Sequence, residues 1–185
     1  MTRIVVFYGA IGALIVGAFM VASMLAWPLD SQSGEGMQGG VLVGYLTQIV
    51  ALTTVFIGIK TFRDKERGGV IKFLPAFLVG LGISAIASLG WVIAWEIVLS
   101  VTKLDFGKMM VEMTTQQATA NGLTGAELEQ KVAEAEEFGK LYMANPLVRV
   151  PVTFVEMFPV GAIISLISAL LLRNSRFMPA RGGAA

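Results

Sequence analysis

The sequence contains neither cysteine nor histidine, and only 15% of its 185 residues are charged. Without cysteine, the chain cannot form disulfides, thiolate metal sites or a cysteine nucleophile. Without histidine, it lacks the usual ligand for haem, copper and zinc and the commonest general base. Its carboxylates do not cluster at metal-ligand spacing, and a net charge of +1 gives no electrostatic basis for nucleic-acid binding. We therefore expect no cofactor, no nucleic-acid partner and no enzymatic activity.

Apolar residues make up 55% of the chain, and its mean hydropathy is +0.73. A soluble domain of this length could not bury that much apolar surface in one core, so we expect the lipid bilayer to act as its solvent. Four apolar runs are long enough to cross a hydrocarbon layer about 30 Å thick. The first run is longer than the apolar region of a cleaved signal peptide, so we expect it to be a retained helix. The sequence predicts an all-α polytopic protein with one membrane domain over 1–185, in which helices at about 4–27, 41–60, 73–101 and 146–173 form a four-helix bundle.

The basic residues are distributed unevenly among the connecting segments. A short loop at 60–72 between the second and third spans carries Lys60, Arg63, Lys65, Arg67 and Lys72, whereas the Gly/Ser-rich connector at 30–40 carries none. Because basic loops stay on the cytoplasmic side, we expect both termini to be cytoplasmic. The five basic residues either set this topology alone or also contact anionic lipid headgroups. The tail at 174–185 is expected to be flexible.

The long segment at 104–144, between the third and fourth spans, has the pattern of an extracytoplasmic amphipathic helical hairpin. Asn121 and Gly122 are typical of a left-handed helix end, and Thr124 with Glu127 predicts a capping box at the start of the second helix. The apolar faces of this hairpin either pack together or lie on the membrane surface, or they provide a docking site for a partner.

Each predicted span also carries small residues spaced four apart. Such strips allow transmembrane helices to approach closely, so they favour a tightly packed bundle. The strips are Gly9, Ala13 and Gly17; Gly40 and Gly44; Gly80, Ser84 and Ser88; and Gly161, Ser165 and Ala169.

Several short stretches along the chain carry a family resemblance. They are Tyr8-Gly9, Val43-Gly44-Tyr45, residues 56–65, Gly68-Gly69-Val70-Ile71, Phe73, Asn145-Pro146, residues 156–161 and residues 165–169. With these stretches the chain resembles the bacterial membrane-protein family called domain of unknown function 4199. The resemblance implies a bacterial inner-membrane protein with four helices and an insert before the last, and it implies no activity, cofactor or catalytic residue.

Glu156 is the main candidate functional residue, because it lies within the last apolar run, three positions before Pro159. An ionisable residue inside a membrane span is expensive unless it is paired, protonated or in contact with water. One interpretation is a buried polar node that fixes helix packing, and the alternative is a titrating group in a small transporter. Expected partners in the node are Tyr45, Thr47 and Gln48 on the second span, or Lys103 and Arg149 near the outer rim.

Glu96 lies near the outer end of the third span, close to Trp91 and Trp95, so we expect an interfacial acid. A third and weaker hypothesis, an enzyme acting on lipids, would need Glu96, Lys103 and Asp105 to converge. The sequence favours a non-enzymatic accessory or scaffolding subunit with a membrane-protein partner or a second copy of itself. The main alternative is a small transporter or ion-coupled protein that uses Glu156.

Overall fold

The computed structural model describes residues 1–26, 35–102 and 104–180, and over these residues the chain forms six helices and no strand. The helices are α1 (Thr2–Ala26), α2 (Glu35–Glu66), α3 (Phe73–Thr102), α4 (Phe106–Ala120), α5 (Gly125–Ala144) and α6 (Pro146–Leu172). Within α1, α2, α3 and α6 lie four stretches long and apolar enough to cross a membrane: Thr2–Ser23, Gly44–Glu66, Phe73–Thr102 and Pro146–Leu172. The predicted class, an all-α polytopic membrane protein, is confirmed.

The second helix is longer than the sequence predicted. It continues to Glu66, so Lys60, Arg63 and Lys65 lie on its last turns and not in a loop. It ends at Gly68 and Gly69, whose φ angles are +61° and +87°, and the Gly69 N–H donates to the Arg63 carbonyl at 2.9 Å. This left-handed ending is the turn that the tandem glycines favour. The connector at 27–34, Lys103 and the tail at 181–185 lie outside the described residues.

The chain divides into two compact units: unit 1 contains Met1–Trp95 and Phe154–Ala185, and unit 2 contains Glu96–Thr153. In unit 1, helix α3 contacts α1, α2 and α6. The core consists of buried apolar side chains from all four helices and from the turn before α3, namely Val16, Ala51, Leu52, Val55, Ile59, Phe62, Ile71, Ala76, Val79, Ile83, Ala87, Met157, Ala169 and Leu172.

The predicted small-residue strips of α3 and α6 face each other in unit 1. A Cβ on Gly80 would lie 2.7 Å from Ser165, and a Cβ on Gly161 would lie 2.6 Å from Ser84, so each glycine leaves room for a serine of the other helix. The two serine hydroxyls lie 3.2 Å apart, and each also donates to the carbonyl one turn earlier in its own helix. This reciprocal arrangement permits close approach of the two helices.

The strip of α1 also packs against α3. Gly9 lies against Ile86, and Ala13 lies against Gly90 so closely that a Cβ on Gly90 would overlap it. In contrast, a Cβ on Gly44 would have no atom of another described helix within 4 Å. The spacing of small residues therefore identified the contacts of α1, α3 and α6, but Gly44 makes no such contact among the described residues.

Unit 2 contains the predicted helical hairpin, formed by α4 and α5. The helices approach closely at Gly107 and Gly139, where a Cβ on Gly139 would lie 3.0 Å from the Gly107 Cα atom. Gly122 has a φ of +81°, as the left-handed ending predicted. Thr124 precedes α5, but its side chain makes no capping hydrogen bond. The following residue, Gly125, has a φ of +58°, so the backbone there lacks the geometry of a capping box.

Candidate functional site

Glu156 lies on the surface of unit 1 and is not buried among its helices. It is three residues from the midpoint of α6, about 4.5 Å along the axis at the rise of an α-helix. Its carboxylate accepts a hydrogen bond from the Trp91 indole N–H of α3 at 3.3 Å. The inward side of α6 at this level is occupied by Met157, which is fully buried. The structure thus places an acid in the middle of a candidate span on the exposed side of the helix.

The side chains expected to form a buried node with Glu156 occupy different environments. Gln48 is buried, Thr47 is half-buried and Tyr45 is 57% exposed. The hydrogen bond that the structure gives Glu156 comes from α3, whereas these three residues lie on α2. Because α6 turns Met157 inward, Glu156 one position earlier points away from the core. The arrangement differs from the predicted dry, buried node.

Two polar atoms inside unit 1 are both buried and unpartnered. Gln48 Oε1 and Ser88 Oγ have no hydrogen-bond partner among the described residues. A buried polar group without a partner is costly, so Gln48 on α2 and Ser88 on α3 each leave a polar atom that the described residues do not satisfy.

Glu96 forms the shortest ion pair among the described residues of unit 2, at 2.6 Å from Arg149. The Arg149 guanidinium donates two hydrogen bonds to its carboxylate, at 2.6 Å and 2.7 Å, and also donates to the carbonyls of Tyr142 and Met143 at the end of α5. Tyr142 in turn shares a hydrogen bond of 2.8 Å with Thr153. One arginine therefore binds the last turn of α5 to α3. The sequence indicated Arg149 as one alternative partner of Glu156, whereas the structure pairs it with Glu96; the interfacial position of Glu96 stays a prediction.

Arg63 is fully buried in unit 1, although its sequence context placed it in an exposed basic loop. Its guanidinium donates to Asp64 at 2.7 Å and to the Leu172 and Phe177 carbonyls at 3.4 Å and 2.9 Å. It also donates to the Met178 carbonyl. A cation at a helix C-terminus satisfies orphan carbonyls and is favoured by the helix dipole. Arg63 is therefore a structural residue that holds the segment after α6 against α2.

The other four basic residues assigned to lipid headgroups fall into two groups. Lys60 is half-buried and paired with Asp64. Lys65, Arg67 and Lys72 are exposed, and the Arg67 guanidinium lies 5.3 Å from the centre of the Phe62 ring. Three of the five predicted residues therefore remain accessible to a ligand.

Of the three residues considered for enzymatic chemistry, Lys103 lies outside the described residues, and Glu96 and Asp105 have different partners. Glu96 is bound by Arg149, and Asp105 caps α4 by accepting from the Lys108 N–H at 3.1 Å. Between α4 and α5 lies a cavity of about 470 Å³ whose charged residues include Asp105, Lys108, Glu136 and Lys140. Much of this charge is paired, Lys108 with Asp105 and Lys140 with Glu136. Within the described part of the chain, no three acidic residues are grouped as a metal site would require.

The chain was compared with known proteins. No curated protein and no solved structure matches it. A family model matches residues 7–174, which cover α2 to α6 and most of α1, so the resemblance carried by the sequence is confirmed. The chain belongs to the family described as Protein of unknown function (DUF4199).

Proposed function

We propose that this multi-pass membrane protein is a non-enzymatic accessory or scaffolding subunit whose α6 surface, around Glu156, is covered by a second membrane-embedded chain. That chain is either another copy of this protein or a different membrane protein. The location that we propose is the bacterial inner membrane, with α1, α2, α3 and α6 as a four-helix bundle. Both termini are then cytoplasmic and the α4–α5 hairpin is on the opposite side.

The single observation that carries this proposal is the exposure of Glu156 near the middle of α6. Ionisable residues in membrane spans almost always face a protein interior or water, or are paired, because hydrocarbon solvates charge poorly. One long hydrogen bond from Trp91, at 3.3 Å, leaves most of the hydrogen-bonding capacity of the carboxylate unused. A partner helix with a donor at this depth would supply the missing contacts.

The apolar surroundings of Glu156 support a protein contact. Ile163, seven positions after Glu156 and therefore on the same side of α6, is 58% exposed, and the adjacent Val155 is 60% exposed. Helix contacts in membranes depend on packing and on interhelical hydrogen bonds, so an apolar surface with one polar residue suits such a contact.

The proposal is tested by the mass of the particle extracted from native membranes. We expect the wild-type protein to purify in a complex larger than one chain, and Glu156→Leu to reduce that complex to the monomer while its helical content is retained. Glu129→Leu, which removes an exposed acid of α5, is the matched control and should leave the complex intact. A wild-type protein that is monomeric in mild detergent and in nanodiscs would refute the proposal.

The alternative function is ion-coupled transport with Glu156 as the titrating group. Its support is that two buried atoms, Gln48 Oε1 on α2 and Ser88 Oγ on α3, have no partner among the described residues, because a water molecule or an ion can satisfy such atoms. Flux across proteoliposomes that is lost in Glu156→Gln but kept in Glu129→Gln would favour this alternative. Absence of flux for protons, sodium and potassium in the wild-type protein would reject it.

A further inference from the structure

We propose that one end of unit 1 binds the headgroups of anionic phospholipids. This basic end consists of the start of α1, the turn between α2 and α3, and the segment after α6. Its exposed basic residues are Arg3, Lys65, Arg67, Lys72, Arg173 and Arg176.

The segment after α6 is held beside the α2–α3 turn by specific contacts. Arg63 donates to carbonyls at the end of α6 and in the residues that follow it. The Phe177 ring packs against Phe56 of α2 with ring centres 6.5 Å apart. A Cβ on Gly69 would lie 3.3 Å from the Ala180 Cβ. Residues 173–180 therefore lie against the turn, and this placement adds Arg173 and Arg176 to the same end as Lys65 and Lys72.

The two acids at this end do not offset its exposed positive charge. Asp64 is paired with Lys60 and Arg63, neither of which is among the exposed basic residues. Glu66 accepts from the α-amino group of Met1 at 2.6 Å. None of the six exposed basic residues pairs with a carboxylate of the described residues, so their positive charge is available to attract an anion.

The neighbouring surface indicates a lipid and not a free anion. Val70 is 61% exposed and Leu74 is 60% exposed, on either side of Lys72. These apolar side chains can contact the upper part of an acyl chain while Lys72 contacts the phosphate. Arg67 lies against the Phe62 ring, which orders its guanidinium and leaves N–H donors for phosphate oxygens. Two candidate spans end at this turn, one at Glu66 and the other at Phe73, so anionic phospholipid is the ligand to which the proposal commits.

The first experiment titrates the full-length protein in detergent with phosphatidylglycerol or phosphatidylcholine of identical acyl chains, and counts bound lipids by native mass spectrometry. We expect phosphatidylglycerol to bind at least about tenfold more tightly, because each basic residue near the surface contributes about a fivefold increase. Raising the salt from 0.1 M to 0.5 M should reduce the preference by screening. Equal binding of the two lipids at low salt would overturn the proposal, and so would a preference that salt does not change.

The second experiment uses charge-removing variants. Arg173→Gln combined with Arg176→Gln should weaken phosphatidylglycerol binding roughly tenfold or more and leave phosphatidylcholine binding unchanged. Lys108→Gln with Lys131→Gln removes the same charge from exposed residues of unit 2 and should preserve the preference. An equal loss of phosphatidylglycerol binding in the two double variants would contradict a site at the basic end. Phosphatidylglycerol should also raise the melting temperature of the protein, whereas inorganic phosphate at the same concentration should not. An equal rise with phosphate would refute a lipid site.

Discussion

Replacement of Arg63 by glutamine tests the structural role of this buried arginine most sharply. The side chain is fully buried and donates to one carboxylate and to three carbonyls that follow it by more than 100 positions in the chain. Glutamine keeps a short polar side chain but cannot reach all four acceptors, so the end of α6 and the following residues lose their anchor. We expect lower stability and release of residues 173–180 from α2.

The expected loss of stability follows from the contacts. A hydrogen bond to a charged group contributes about 1.5–3 kcal/mol, and breaking a buried ion pair costs about 3–5 kcal/mol. Asp64 keeps Lys60 as a partner and is 19% exposed, so the loss should lie near the lower figure, at about 3 kcal/mol. At 2–4 °C per kcal/mol for chains of this length, the melting temperature should fall by roughly 6–12 °C.

The assay is thermal unfolding followed by tryptophan fluorescence in detergent, together with limited trypsin digestion after Arg173 and Arg176. Arg67→Gln is the matched control, because Arg67 is exposed and its contact with Phe62 should contribute only about 0.5–1 kcal/mol. We expect faster cleavage of the tail in Arg63→Gln alone. Equal melting temperatures for the two variants, or unchanged cleavage, would refute the role assigned to Arg63.

Two further predictions concern helix packing. Gly80→Val should lower the melting temperature markedly, because its side chain would overlap Ser165. Gly44→Val should be tolerated, because a Cβ there would have no atom of another described helix within 4 Å. Similar effects of both changes on thermal unfolding would contradict the α3–α6 contact. A double-mutant cycle with Glu96→Gln and Arg149→Gln should give a coupling of about 1–2 kcal/mol, reduced from that of a buried pair because Glu96 is 35% exposed. If the two single substitutions lower the free energy of unfolding additively, the pair does not contribute to stability.

The apolar spans and several helix ends could be predicted from the sequence because each depends on local residues. Long apolar runs need a bilayer, and Gly122 favours the left-handed backbone at which α4 stops. The predicted start of the last span, at about 146, is the first residue of α6. The small-residue spacing also identified Gly80 and Gly161 as contact positions, because close approach of helices requires small side chains.

The partners of the charged residues could not be predicted. Arg63 and the Phe177 carbonyl are 114 positions apart, and the Glu96–Arg149 pair is 53 positions apart. No local pattern encodes such pairs. The exposed side of α6 could not be predicted either. A membrane span is apolar on all faces, so its sequence gives no amphipathic signal for the side on which Glu156 lies.

The central claim, that another chain covers α6 around Glu156, is tested most directly by photo-crosslinking in native membranes. A photoreactive residue at Ile163, exposed on the same side of α6, should give a discrete crosslink to a second protein chain. The same residue at Leu14, which is 71% exposed on α1, should react with lipid alone. Crosslinks from Ile163 that contain only lipid would contradict the account.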